Sequence, residues 1–129
     1  MKLVFECNNT RCLGDINGII HDNSFDVDSI EFDEIDRALS VPFVRELWES
    51  HSNKWYAKIF IGKKIRRKML LKINQVLSFE FEDSQRINRY SFNILQFEND
   101  QLYVITVIPM KFQIVVEGIN IQLFELNSR

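Results

Sequence analysis

Across residues 69–82 the chain alternates between apolar and polar side chains. Met69, Leu71, Ile73, Leu77, Phe79 and Phe81 occupy the odd positions. Lys72, Asn74, Ser78, Glu80 and Glu82 interleave with them, and Gln75 and Val76 break the pattern. A period of two places successive side chains on opposite faces of an extended backbone, so one face is buried and the other meets water. That is the signature of an antiparallel sheet covered on one side. A helix cannot use this pattern, because its apolar positions recur every three to four residues.

Other stretches continue the alternation. Leu3 to Glu6 is a short strand candidate, and Gly14 and Gly18 punctuate the approach to His21-Asp22. Phe25 and Val27 share one phase while Ile30 and Phe32 share the other, which implies a turn or bulge near Asp28 and a strand over Ser29 to Asp33. Leu39, Val41 and Phe43 form the next strand, and Pro42, which cannot donate to a ladder, assigns it to a sheet edge. A polar loop is expected from Trp48 to Lys54, followed by alternation at Ala57, Ile59 and Ile61 and a hairpin turn at Gly62-Lys63-Lys64. Tyr90, Phe92 and Ile94 resume the pattern, and Glu98-Asn99-Asp100 supplies a turn. Residues 102–108 are apolar on both faces, as in a central strand. Phe112, Ile114 and Val116, then Ile119, Ile121 and Leu123, complete the series.

Short strands separated by turns predict one all-β domain over residues 1–129, mostly antiparallel, as a sandwich or flattened barrel with at most one short helix. The place for that helix is Asp33 to Ser40, where Ile35 and Leu39 are four apart. Pro42 closes the window, since proline inside a helix costs about 3 kcal/mol. Eleven phenylalanines against four glycines suit a bulky β-type core. No apolar run approaches the ~18 residues of a spanning helix. Glu6 interrupts the N-terminal apolar stretch and makes it a poor signal peptide. The expectation is therefore a cytoplasmic protein in which Cys7 and Cys12 are unpaired thiols.

Charge is segregated along the chain. Asp15, Asp22, Asp26, Asp28, Glu31, Asp33, Glu34 and Asp36 fall in a span without lysine or arginine. Lys54, Lys58, Lys63, Lys64, Arg66, Arg67, Lys68 and Lys72 fall in a span without acids. Such blocks commonly form solvated faces or neutralise each other within the fold. As a docking surface, the acidic block from Asp22 to Asp36 would attract a basic protein and speed encounter. The basic block beside Trp55 and Tyr56 would instead hold single-stranded nucleic acid through phosphate contacts and stacking, with Lys63, Lys64, Arg66, Arg67 and Lys68 supplying the charge. The formal net charge of −2 speaks against that second use. A third option is a homo-oligomer whose opposite blocks pair between subunits.

The sequence offers little for catalysis. His21 beside Asp22 is read as a turn in which the carboxylate accepts local main-chain donors, rather than as a proton-transfer pair. Cys7, Cys12, His21 and His51 lack the paired spacing of a zinc knuckle. Asp26-Val27-Asp28-Ser29-Ile30-Glu31 begins like a calcium loop but puts Ile30 where an oxygen ligand is needed. Phosphate-binding glycine loops, G-x-S-x-G elbows and H-E-x-x-H motifs are missing. No catalytic residue, metal or cofactor is assigned, and a non-enzymatic domain is expected.

His21-Asp22, Phe25, Ile30-Glu31-Phe32 and Leu39-Ser40-Val41 together resemble small all-β bacterial proteins in which a His-Asp pair precedes a strand near the N-terminus. Some of these are immunity proteins of polymorphic toxin systems. The resemblance implies a domain that neutralises a cognate toxin by direct binding. It does not account for the basic segment, and it carries over no toxin-contacting residue.

Overall fold

The computed structural model describes residues 1–49 and 63–126. The strands are β1 (Lys2–Cys7), β2 (Ser24–Asp26), β3 (Glu31–Asp33), β4 (Ala38–Glu49), β5 (Lys63–Ile73), β6 (Val76–Glu82), β7 (Arg89–Glu98), β8 (Gln101–Thr106), β9 (Lys111–Val116) and β10 (Ile121–Glu125). One helix, α1 (Leu13–Ile20), and two 3-10 turns, Thr10–Cys12 and Val27–Ser29, complete the described residues. The sheet runs β1-β10-β5-β4-β2-β7-β8-β9-β6, and β3 pairs with β4 beside β2. All of its pairings are antiparallel. The all-β expectation holds.

This sheet folds over on itself. The start of β7 pairs with β2, through Tyr90 opposite Phe25, while its remainder pairs with β8 after a register shift between Phe92 and Ile94. A bulge of this kind bends a strand and lets it pass from one layer to the other. At the opposite seam β6 returns to the beginning of β4, where the Val76 amide donates to the Arg37 carbonyl at 3.0 Å. The result is a two-layered fold of the expected sandwich or flattened-barrel kind. Its core is aromatic: Phe92 stacks on Phe25 with ring centroids 4.5 Å apart and meets Phe43 edge-on at 5.5 Å. Phe81 and Phe112 extend the same cluster, with centroids 5.7 Å apart.

Several details differ from the expectation. The helix lies at Leu13–Ile20, ahead of His21, and Asp33 to Ser40 instead forms the β3–β4 hairpin. Leu13, Ile16 and Ile20 are buried at the three-to-four-residue spacing of a helix face, which the short span between glycines obscures. Asn17 fixes this helix to β7: its amide donates to the Leu95 carbonyl at 3.1 Å and accepts the Leu95 amide at 2.7 Å. The phase change near Asp28 is the 3-10 turn Val27–Ser29. Strand β4 is interior rather than an edge, with β5 on one flank and β2 and β3 on the other. Proline is tolerated because β2 reaches only Phe43 and Val44, and β3 only Ala38 to Ser40, so Pro42 faces the gap between them.

Trp48 and Glu49 belong to β4 and Lys63 and Lys64 to β5, so strand occupies the start of the expected loop and the last two positions of the expected turn, and the rest of both lies outside the described residues. The alternation at Ala57, Ile59 and Ile61 lies outside the described residues. Leu77 is exposed and Val76 buried, because the ladder to β9 slips between Val76 and Ser78. Cys7 and Cys12 form a disulfide, where free thiols were expected. Among the described residues no helix is long and apolar enough to cross a membrane.

Candidate protein-docking surface

The acidic block folds into three separate environments. Asp22 lies at the end of α1 with φ of 64°, a left-handed conformation that aspartate accepts more readily than most side chains. Its carboxylate approaches His21 Nε2 at 3.4 Å, and His21 Nδ1 lies 3.0 Å from the Asn93 carbonyl. Both side chains are largely exposed; the expected turn is present, but the Asp22 carboxylate lies beside the His21 ring rather than on local main-chain donors. Asp26 points elsewhere: it forms an ion pair with Arg89 at 3.1 Å.

The remaining acids gather around one hairpin. Asp28 sits in the turn that leads to β3. Glu31 and Asp33 project from the outer face of β3, and Glu34 and Asp36 flank the turn to β4. All five are exposed, and among the described residues none has a lysine or arginine partner. Between Glu34 and Asp36, Ile35 is 93% exposed. An isoleucine held this far into water among carboxylates forms an apolar anchor with an acidic rim.

The frame beneath this tip is fixed. The Asp33 carboxylate accepts the main-chain amides of Ile35 at 2.9 Å and Asp36 at 3.2 Å, an Asx-type turn. Phe32, between the two outward acids of β3, turns inward and packs on Phe79 at 4.9 Å. Arg37 donates from Nε to the Val76 carbonyl at 2.7 Å and from its terminal nitrogen to the Leu77 carbonyl at 2.5 Å. Its guanidinium therefore faces main-chain oxygens across the barrel seam and none of the five carboxylates.

The basic block is less free. Arg67 pairs with Glu125 at 3.1 Å, and Arg66 approaches Glu46 across the β4–β5 ladder at 3.5 Å. Lys68 is exposed and without a carboxylate partner among the described residues. Lys63 and Lys64 lie at the far end of β5, and Trp55 and Tyr56, the stacking platform expected for nucleic acid, lie outside the described residues.

One pair went unnoticed in the sequence. The Tyr90 hydroxyl donates to Asp83 at 2.5 Å, and Asp83 also accepts the amides of Ile87 and Asn88 at 2.9 and 2.7 Å. The tyrosine hydrogen bond and these amides hold the Asp83 carboxyl below its usual range, and the bond to Asp83 pushes the Tyr90 hydroxyl up to about 12. The arrangement ties the β6–β7 loop to the core. Comparison with protein-family models, curated proteins and solved structures returned no match.

Proposed function

We propose that this chain is a non-enzymatic protein-binding domain of the immunity type, which neutralises a cognate toxin by laying its β3–β4 hairpin against a basic surface of that toxin. One observation carries the reading: five exposed carboxylates, without cationic partners among the described residues, lie on or just ahead of a clamped hairpin whose turn holds out an isoleucine. Unpaired like charges repel one another, so this cluster weakens the free protein slightly and favours a partner that brings positive charge. A surface that binds nucleic acid is such a partner, because it must neutralise phosphates. Carboxylates would steer the encounter, and Ile35 would supply the desolvated anchor at the centre of the contact. The clamp beneath the hairpin lowers the ordering cost of binding. The most perturbed titratable groups, Asp83 and Tyr90, are engaged with each other and with a loop, which leaves them a structural role.

A toxin that attacks nucleic acid is met in the cytoplasm, so this reading implies that compartment.

The test is binding to the toxin-like protein that co-purifies with this chain or is encoded beside it. A variant carrying Asp28→Asn, Glu31→Gln, Glu34→Gln and Asp36→Asn should bind ~10- to 100-fold more weakly, mainly through a slower on-rate, and lose most of the salt dependence. Asp33 is left intact because it shapes the turn. Unchanged affinity in a variant of unchanged melting temperature would overturn this assignment of the surface.

A further inference from the structure

On the outer face of the barrel an apolar row crosses four strands in register: Leu3 opposite Phe124, Phe124 opposite Leu70, and Leu70 opposite Pro42. Leu3 is 44% exposed and Val44, beside Pro42 on β4, is 39% exposed. The row ends in a cavity of about 350 Å³ whose apolar wall includes Pro42, Val44 and Leu126 and whose rim carries Arg66, Lys68 and Arg89. Asp26 and Glu46 occupy the same rim and pair with Arg89 and Arg66, which leaves Lys68 without a carboxylate partner among the described residues and the rim net positive. The site therefore suits a ligand with an apolar centre and acidic flanks.

This chain presents such a ligand. We infer that the cavity receives the β3–β4 tip of a second copy, with Ile35 seated against Val44, Pro42 and Leu126 and its flanking acids against Lys68, Arg66 and Arg89. Charge complementarity selects this occupant: the hairpin carries Glu31, Asp33, Glu34 and Asp36 with no cationic partner among the described residues, while the cavity lining has three bases to two acids and, among the described residues, a lysine without a carboxylate partner. The chain's own tip is out of reach, because Ala38 and Val44 lie ~20 Å apart along the continuous strand β4. The contact is heterologous, tip into cavity, so every copy can use both surfaces and grow head to tail until a ring closes. The inference shares the tip with the toxin-binding reading but does not depend on the nature of that partner. If both hold, self-association covers the tip until a basic partner displaces it.

The test measures the average mass of the full chain by light scattering from micromolar to millimolar concentration, at low and high salt. Mass should rise with concentration at low salt and return to the monomer value at high salt, since the contact is ionic at its rim. Ile35→Asp and Lys68→Glu should each weaken association at least ~10-fold, which corresponds to about 1.4 kcal/mol. Both side chains are exposed, so both variants should keep the parental melting temperature. Mixing the two variants is the decisive arm. Ile35→Asp retains a working cavity and Lys68→Glu a working tip, so together they should form a heterodimer and nothing larger. A monomer at every concentration, association indifferent to both substitutions, or a mixture that stays monomeric would each overturn the inference. Because Lys68→Glu spares the tip, toxin binding by that variant separates failure of this contact from failure of the proposed function.

Discussion

The Arg37 guanidinium lies 5.8 Å from the centroid of the Phe32 ring while donating to the carbonyls of Val76 and Leu77. Phe32 belongs to β3 and packs in turn on Phe79 of β6. One side chain thus links the acidic hairpin to the start of β6. Arg37→Ala should lower stability by about 1–2 kcal/mol, less than a buried charged hydrogen bond would because the side chain is exposed. Hydrogen exchange locates the effect: the Val76 amide, which donates to the Arg37 carbonyl, should exchange faster, while the amides of β8 should not change. Protection of Val76 equal to that of the parent would show that the seam does not need the side chain.

Phe92 is fully buried between Phe25 and Phe43 at the point where β7 changes layers. Phe92→Ala should reduce unfolding free energy by about 3–5 kcal/mol, through lost burial and a cavity that the bulged strand cannot collapse into. Urea unfolding measures this directly. A loss below ~1.5 kcal/mol would mean that the aromatic cluster repacks around the hole.

The Asp83–Tyr90 pair predicts stability that depends on pH at both extremes. Asp83 has its carboxyl lowered in the folded protein, so its contribution is present above the ordinary carboxylate range and fades as pH falls through the lower folded value. Tyr90 is raised from 10.0 to about 12, so its contribution is complete below pH 10 and fades as pH rises through 12. A spectrophotometric titration should show a tyrosine ionising near pH 12. Asp83→Asn should move that transition down toward 10, because the substitution removes the carboxylate that accepts the phenolic proton. A transition that stays near 12 would assign the shift to burial instead.

The Cys7–Cys12 bridge closes a loop between residues five apart in sequence. Chain entropy for so short a loop amounts to about 2 kcal/mol. Reduction, or the pair Cys7→Ser and Cys12→Ser, should lower stability by about that amount in chemical denaturation without changing strand content by circular dichroism. Loss of the β1–β10 pairing on reduction would show that the bridge holds the strand in place rather than trimming the unfolded ensemble.

Much of the barrel is readable from local pattern. Alternation over residues 69–82 marks β5 and β6, and the departure at Gln75 and Val76 marks the turn between them, where Gln75 has φ of 58°. Asn99 and Asp100, with φ of 52° and 60°, make the two-residue turn between β7 and β8 that their residue types favour. Of residues 102–108, apolar on both faces, 102–106 do sit between two strands, whereas Val107 and Ile108 lie beyond the end of β8 and are exposed. The acidic block was legible as a block because it needs only counting, but its partition was not. That Asp26 faces Arg89, 63 positions away, while Glu31, Asp33, Glu34 and Asp36 stay together follows from β2 pairing with β7 and β3 pairing with β4.

Strand alternation, turn residues and charge counts involve neighbours within a few positions, so the chain alone sets which stretches extend, which face is apolar and where the carboxylates concentrate. Contacts between distant positions set the rest. Helix α1 depends on Asn17 meeting Leu95, 78 residues on, and Pro42 is admitted inside the sheet only by the gap between β2 and β3. Bulges that turn Leu77 and Ile94 outward arise from how β6 fits β9 and how β7 fits β8, and no short window of sequence carries that information. The hairpin tip shows both origins in one place. Its acids are written within a few positions of one another, but they stay without a cationic partner among the described residues because Arg37, the nearest base in sequence, reaches across to Val76 and Leu77 instead.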